Sequence, residues 1–436
     1  MQLRYLLPMR LLLSTGLCVL TAVAWANNTA EAIKLRQDVF QSTISLADLK
    51  VVHHDFIRAT HFNELFALLS QGPHFATNNS LPRFIKQSYK SKQNVRFRYS
   101  IRLPHDYQPS KTYPLLVFLH GGIDRPAWQN SQQWWIDLPN EFADQAIILY
   151  PSAWRDKPWW HFAQLENIRE LLKLVKQSYA VDTNKIYLSG ISDGGSGSYY
   201  LASHLADQFA AVGPFIGSPT VLAAPRNQMQ GNVFELNLAN LPWLIINGEQ
   251  DKLYPAEQVG KFIDYLQQFG DGFEFAAVPG GHSLHTVREN WQQMAEFLKS
   301  QQRPPLSQDV KLQVESNSLY NRHSWLIVNF SGATHLANIP NGLKRDSAPS
   351  VIVYAKQTDN HVTLQASQAT EVILLLSPSL FDFTKPITVT ENGKTLFSKQ
   401  LEPSKATLLK WAKSDLDPNR LYAAELEIQL SGNSIQ

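Results

Sequence analysis

The segment Leu188-Ser189-Gly190-Ile191-Ser192-Asp193-Gly194-Gly195 sets a serine between two glycines. The apolar run Ile186–Leu188 precedes it and a helix-compatible stretch, 196–205, follows it. A serine on a sharp strand-to-helix turn has its hydroxyl pushed clear of the sheet, and flanking glycines let the backbone turn without a clash. The helix that follows aims its N-terminal amides at the same point, where they suit a developing oxyanion. Ser192 is therefore the candidate nucleophile, and the chemistry is acyl transfer.

A serine hydroxyl is a weak nucleophile at neutral pH, so it needs a base, an acid that orients the base, and donors for the oxyanion. In the α/β-hydrolase fold the partners follow the serine in the order acid, then histidine. After the apolar run Leu244–Ile246 the chain reads Asn247-Gly248-Glu249-Gln250-Asp251. Asp251 is the expected acid and Glu249 the less favoured substitute. After Phe275–Val278 it reads Pro279-Gly280-Gly281-His282-Ser283, which makes His282 the expected base, with His285 a weaker candidate. One oxyanion donor is expected from the amide of Asp193. The other should come from His120-Gly121-Gly122, which follows the run Leu115–Leu119. Gly122 is preferred there and Gly121 is second. Such a donor is worth roughly 3 kcal/mol of barrier.

The elements that must carry these residues are legible in the hydropathy. Val95–Leu103 alternates with period two, as a half-buried antiparallel strand does. Leu115–Leu119, Ala146–Tyr150, Lys185–Leu188, Phe209–Val212, Leu244–Ile246 and Phe275–Val278 are continuous apolar runs, the pattern of strands covered on both faces. Between them, 164–179 carries Leu165, Ile168, Leu172 and Val175 on one stripe, and 259–269 and 287–298 are also helix-like. Strands alternating with helices predict a doubly wound, mostly parallel α/β sheet. Pro304-Pro305 ends that pattern. Beyond it, short apolar stretches at close spacing, Thr407–Trp411 among them, predict an all-β sandwich, with Asn392-Gly393 as a hairpin turn. The expected division is 1–26, a leader; 27–90, an extension covering part of the main unit; 91–303, the catalytic unit; and 306–436, an accessory β-unit.

With Leu119-His120-Gly121-Gly122, the run Asp182–Gly195, Asn247-Gly248 with Asp251, and Gly281-His282 in these positions, residues 95–300 resemble the α/β-hydrolase superfamily. The likeness is to secreted esterases of the feruloyl-esterase and poly(3-hydroxybutyrate)-depolymerase type, grouped with dienelactone-hydrolase-like proteins. The resemblance implies a carboxylic ester hydrolase with Ser192, His282 and Asp251 as its triad and no cofactor or metal. It implies an ester substrate, with polymeric and aromatic esters among the options. Trp128, Trp134, Trp135, Trp154, Trp159 and Trp160 cluster over the strand ends in such a fold. His120, Trp128, Trp135, Trp159 and Trp160 are thus candidates for a substrate wall, with plain packing an equal alternative.

Composition narrows the class. Arg4 and Arg10 precede the apolar stretch Leu11–Val23, and Ala24-Trp25-Ala26 fits a cleavage site, so export to the periplasm or beyond the cell is expected, without a membrane span after cleavage. Cys18, the single cysteine, lies in this leader, so the mature chain would have neither disulfide nor thiol nucleophile. The formal charge of the whole chain is only +2, with no basic patch to suit nucleic acid. Adjacent His53-His54 reads as a solvated pair rather than a metal site, because neighbouring side chains diverge. Two other readings stand beside the esterase. One is a prolyl-oligopeptidase-like serine peptidase, which the short N-terminal segment disfavours because it cannot hold a propeller. The other is a polymer- or polysaccharide-binding protein acting through the C-terminal β-unit.

Overall fold

A computed structural model describes residues 29–75, 81–224, 227–315, 320–329 and 350–431. The expected leader, 1–26, lies outside the described residues.

The apolar runs become strands of one eight-stranded sheet. These are β1 (Phe84–Lys90), β2 (Arg96–Arg102), β3 (Tyr113–Leu119), β4 (Ile147–Pro151), β5 (Val181–Ile191), β6 (Ala211–Phe215), β7 (Trp243–Gly248) and β8 (Phe273–Val278). Their order is β1-β2-β4-β3-β5-β6-β7-β8. The hairpin β1–β2 joins antiparallel at the β4 edge, and the pairs from β4 to β8 are parallel. The sheet therefore begins at Phe84, ahead of the boundary expected at 91.

Continuous hydrophobicity of β3 is explained by burial on both faces. Leu115, Val117 and Leu119 pack with the stripe Leu165, Ile168 and Leu172 of helix Phe162–Ser178. Leu116 and Phe118 pack on the other face with Phe142, Trp291, Met294 and Leu298. Burying each such side chain stabilises the fold by about 1.5–3 kcal/mol. After β3 the chain steps to β4 on one side, then crosses to β5 on the other. The crevice at the carboxyl ends of β3 and β5 is thus the topological switch point where doubly wound sheets bind ligands.

Beyond Pro305 the strands form two sheets around one core. A four-stranded sheet has the order β10-β11-β14-β17 and a five-stranded one β16-β15-β13-β12-β9. Their ranges are β9 (Asp309–Glu315), β10 (Arg322–His323), β11 (Leu326–Asn329), β12 (Ser350–Thr358), β13 (His361–Ser367), β14 (Glu371–Leu376), β15 (Ile387–Glu391), β16 (Lys394–Lys399) and β17 (Ala424–Gln429). The turn between β15 and β16 has φ of 48° at Asn392 and 81° at Gly393, the left-handed pair that Asn-Gly supplies.

One expected strand is wrong. Thr407–Trp411 lies inside the helix Lys405–Asp415. Ser404 caps that helix by accepting the Thr407 N–H at 3.2 Å, and Leu408, Leu409 and Ala412 form its buried stripe. Their partner surface is remote in sequence. Helices Ala30–Phe40, Leu46–Val52 and Phe62–Ser70 share a core with this C-terminal helix through Leu35, Val39, Leu65, Leu68 and Leu408. The N-terminal helices close on this C-terminal helix, and Gln177 of the helix Phe162–Ser178 donates to the Ser42 carbonyl at 3.3 Å.

Candidate active site

Ser192 sits at the junction of β5 and the helix Asp193–Leu205, with φ 54° and ψ −118°. A β-substituted residue held at positive φ costs of order 1–3 kcal/mol, and the surroundings must over-determine it. They do. The Ser192 N–H donates to the Phe215 carbonyl at the end of β6 (3.1 Å), and the Ser196 N–H donates to the Ser192 carbonyl (2.9 Å). A Cβ on Gly194 would collide with the carbonyls of Leu119 and His120, so only glycine lets the helix start this close to β3.

Ser192 Oγ lies 2.8 Å from His282 Nε2. His282 Nδ1 lies 2.8 Å from Asp251 Oδ2. The other carboxylate oxygen of Asp251 accepts the N–H groups of Leu253 and Tyr254, both at 2.9 Å. The Asp251 side chain is fully buried, while that of His282 keeps about a quarter of its surface open (23%). Asp251 follows β7 and His282 follows β8, so two neighbouring parallel strands deliver them to one edge of the crevice. Glu249 is exposed and accepts from Gln250 Nε2 at 3.4 Å. His285 is exposed on the helix Leu284–Glu289, 3.7 Å from Glu289.

The loop after β3 faces the serine from the other side. A Cβ on Gly121 would stand 2.9 Å from Ser192 Cβ, and Gly122 takes φ 65°. The Ile123 N–H donates to Asp193 Oδ2 at 3.0 Å, which ties this loop to the first residue of the helix. The Asp193 N–H belongs to the first turn, where amides have no acceptor within the helix.

His120 is buried behind the loop. The Ala153 N–H donates to its Nε2 at 3.0 Å. An amide can only donate, so the ring proton is on Nδ1, which donates to the Gly121 carbonyl at 2.8 Å. Burial pushes the imidazole down to about 4, so it stays neutral. The expected substrate wall is also packed away. Trp128, Trp135, Trp159 and Trp160 are buried. The indole N–H groups of Trp128, Trp159 and Trp160 are spent on the carbonyls of Ala153, His120 and Asn227. Trp159 and Trp128 meet the His120 ring edge to face at 5.2 and 5.3 Å. Trp128 and Trp159 thus pack against His120, behind the loop that follows β3.

Two features escaped sequence reasoning. Tyr254 meets His282 edge to face at 5.1 Å. Burial, helped by the charges of Asp193 and Asp251, pushes its phenol up to about 12. No motif marks a tyrosine at this offset from Asp251. Leu253 and Leu284, next in chain to this machinery, are large apolar side chains left 58% and 40% exposed. His53 corrects another expectation: it is buried, with Nε2 2.9 Å from Asp38 Oδ2, while His54 is exposed. Among the described residues no group of three or more His, Asp or Glu could hold a metal ion.

A family model described as "Putative esterase" matches residues 91–325. The chain belongs to this esterase family. The family segment contains Ser192, Asp251 and His282 and ends inside the β-rich region. Among curated relatives of this esterase, the bifunctional acetylxylan esterase/xylanase of Neocallimastix patriciarum is 27% identical over 185 residues, 42% of this chain and 25% of that protein. "Probable feruloyl esterase C" of Aspergillus niger is 29% identical over 126 residues, 27% of this chain and 46% of that protein. The matched segments thus span between a quarter and a half of these relatives. Among solved structures, a ferulic acid esterase from Anaeromyces mucronatus in complex with ferulic acid is 18% identical at TM-score 0.40, covering 52% of this chain and 93% of that one.

Proposed function

We propose that this esterase cleaves carboxylic esters by a serine acyl-enzyme route carried by Ser192, His282 and Asp251. The observation behind the reading is the unbroken chain of two 2.8 Å contacts from Ser192 Oγ through the imidazole to a buried carboxylate. Ser192 Oγ attacks the ester carbonyl carbon while its proton passes to His282 Nε2. Asp251 holds the Nδ1–H, fixing the tautomer and stabilising the imidazolium. The amides of Asp193 and Gly122, with Gly121 as the alternative, receive the oxyanion. His282 then protonates the leaving alkoxide, and later takes a proton from the water that frees the acid. No step calls for a cofactor.

The substrate class follows from two supports. Leu253 and Leu284 offer an apolar rim on the loops that bring Asp251 and His282. The curated relatives carry names that specify acetylxylan and feruloyl esters. An acyl or hydroxycinnamoyl ester on a polysaccharide is the proposed substrate, with the two β-sheets beyond Pro305 as an accessory unit that contacts the polymer. Export rests on the leader pattern Arg4 to Ala26. No helix of the described residues is long and apolar enough to cross a membrane. The test is hydrolysis of a p-nitrophenyl ester series and methyl ferulate by the full chain and by Ser192→Ala. Turnover that survives the substitution sinks the reading, and turnover of aminoacyl amides but not esters would point to a peptidase instead.

A further inference from the structure

We propose that the cleft between the helix Phe162–Ser178, the β1–β2 turn and the C-terminal segment is a second binding site, for a sugar chain that carries carboxylates, with the Lys176 ammonium as its anion contact. It rests on the reading above that the C-terminal unit contacts a polymer, and names where. It does not rest on the triad, none of whose residues lines the cleft.

The cleft holds about 880 Å³, towards the upper end of the roughly 300–1,000 Å³ found for ligand sites. Glu166, Arg169, Glu170, Lys173 and Lys176 line it from the helix Phe162–Ser178. These positions recur every three or four residues, so they share one helix face and follow it for about 15 Å. Lys90 and Lys92 enter from the end of β1 and the turn after it, and Arg322 and the helix Lys405–Asp415 supply the remaining walls.

Charge pairing leaves one buried cation over. Arg420 reaches Asp207 at 3.3 Å, Arg322 reaches Asp415 at 2.7 Å and Arg303 reaches Asp417 at 2.5 Å. Each of these aspartates is matched by an arginine, and burial holds His204 and His323 neutral at about 4. Lys176 is only 7% exposed and has no carboxylate partner among the described residues. Its one hydrogen bond goes to the Asp415 carbonyl at 3.3 Å, which leaves two of its three N–H groups for a ligand. An ammonium is costly to bury unless it is paired, and burial pulls Lys176 below its ordinary pKa despite the aspartates nearby. An anion in the cleft supplies the missing partner.

The other lining groups choose the kind of anion. Glu166 and Glu170 share the helix face of Lys173 and Lys176, so a densely charged polyanion would meet repulsion there. A chain of neutral rings with separated carboxylates would not. Its acid groups suit the lysines, and its hydroxyls suit the two glutamates, Ser91, Gln93 and Asn321. Tyr89 and Trp411 add partly exposed aromatic surface to the same cleft.

The experiment titrates the full chain calorimetrically with trigalacturonic acid, xylotriose and inorganic phosphate. Trigalacturonic acid should bind, weaken as salt rises, and exceed xylotriose and phosphate by at least about tenfold. Lys176→Met should weaken it roughly 10- to 100-fold, the loss of one charged hydrogen bond. Its urea midpoint should hold or rise, because the variant removes a buried cation without a carboxylate. Lys90→Gln with Lys92→Gln changes only exposed side chains and should cost about threefold, which keeps the test open if Lys176→Met folds poorly. No binding of trigalacturonic acid, xylotriose or phosphate binding as tightly, or wild-type affinity in either variant overturns the assignment. If trigalacturonic acid fails while the chain is retained on insoluble xylan, the cleft falls and the polymer reading stands. Ester turnover should be the same in Lys176→Met as in the wild type, so a failure of the esterase reading shows in Ser192→Ala and not in the titration.

Discussion

The Asp193 carboxylate accepts the Ile123 N–H at 3.0 Å, so the residue after Ser192 also clamps the loop that faces it. Both proposed sources of oxyanion donors are joined by that bond. Asp193→Ala should release the loop and lower kcat about tenfold or more, with a stability loss of only about 1 kcal/mol. Asp193→Asn keeps an acceptor oxygen and should stay within a few-fold of wild type. Equal kcat values for the two variants would show that the clamp is dispensable.

The apolar rim makes a prediction about selectivity. Leu253 and Leu284 are costly to leave in water unless something covers them. If the acyl group does, each leucine contributes about 1–2 kcal/mol, or roughly 5- to 30-fold, to bulky esters. Leu253→Ser with Leu284→Ser should therefore depress kcat/KM for p-nitrophenyl octanoate and methyl ferulate much more than for p-nitrophenyl acetate. A uniform change across the series would remove the rim from substrate binding.

Arg303 and Asp417 join the end of the α/β unit to the C-terminal segment through a buried contact of 2.5 Å, with Thr183 Oγ1 donating to the same carboxylate at 2.7 Å. Burial alone would raise the Asp417 carboxyl, but Arg303, Lys176 and Arg420 outweigh it and hold it well below the usual carboxylate range. Arg303→Met leaves a buried charge short of its partner and should cost about 3–5 kcal/mol by urea unfolding. Adding Asp417→Leu should recover most of that loss. A double variant no better than the single one would argue that the ion pair is not the reason.

Acid stability should follow buried histidines before carboxylates. Burial pushes His120, His204 and His323 down to about 4. Unfolded, each titrates near 6.5. Their folded pKa is depressed, so the unfolded chain binds more protons between these values. Stability is full above about 6.5 and falls as pH drops towards 4, by up to about 1.4 kcal/mol per pH unit for each histidine. Asp417, also depressed, adds its loss only below the ordinary carboxylate pKa near 4. Urea midpoints at pH 7, 5.5 and 4.5 test this. A flat profile across that range is incompatible with neutral buried histidines.

Much of the catalytic half was readable in the chain because its signals are local. The apolar runs, the glycines around Ser192, and Asp251 and His282 just past β7 and β8 each announce themselves within a few residues. Asn392-Gly393 likewise states its own backbone conformation. What remained hidden depends on partners far away in sequence. Thr407–Trp411 reads as a strand because Leu408 and Leu409 are apolar. It is a helix because Leu35 and Leu65, near the other terminus, cover that stripe. The tryptophans near His120 show that they must be buried or bound, but only the Trp159 and Trp128 bonds to His120 and Ala153 show which. Tyr254 has no sequence mark at all. Its place is set by where two parallel strands put Asp251 and His282, since only tertiary packing brings its ring edge to face on His282.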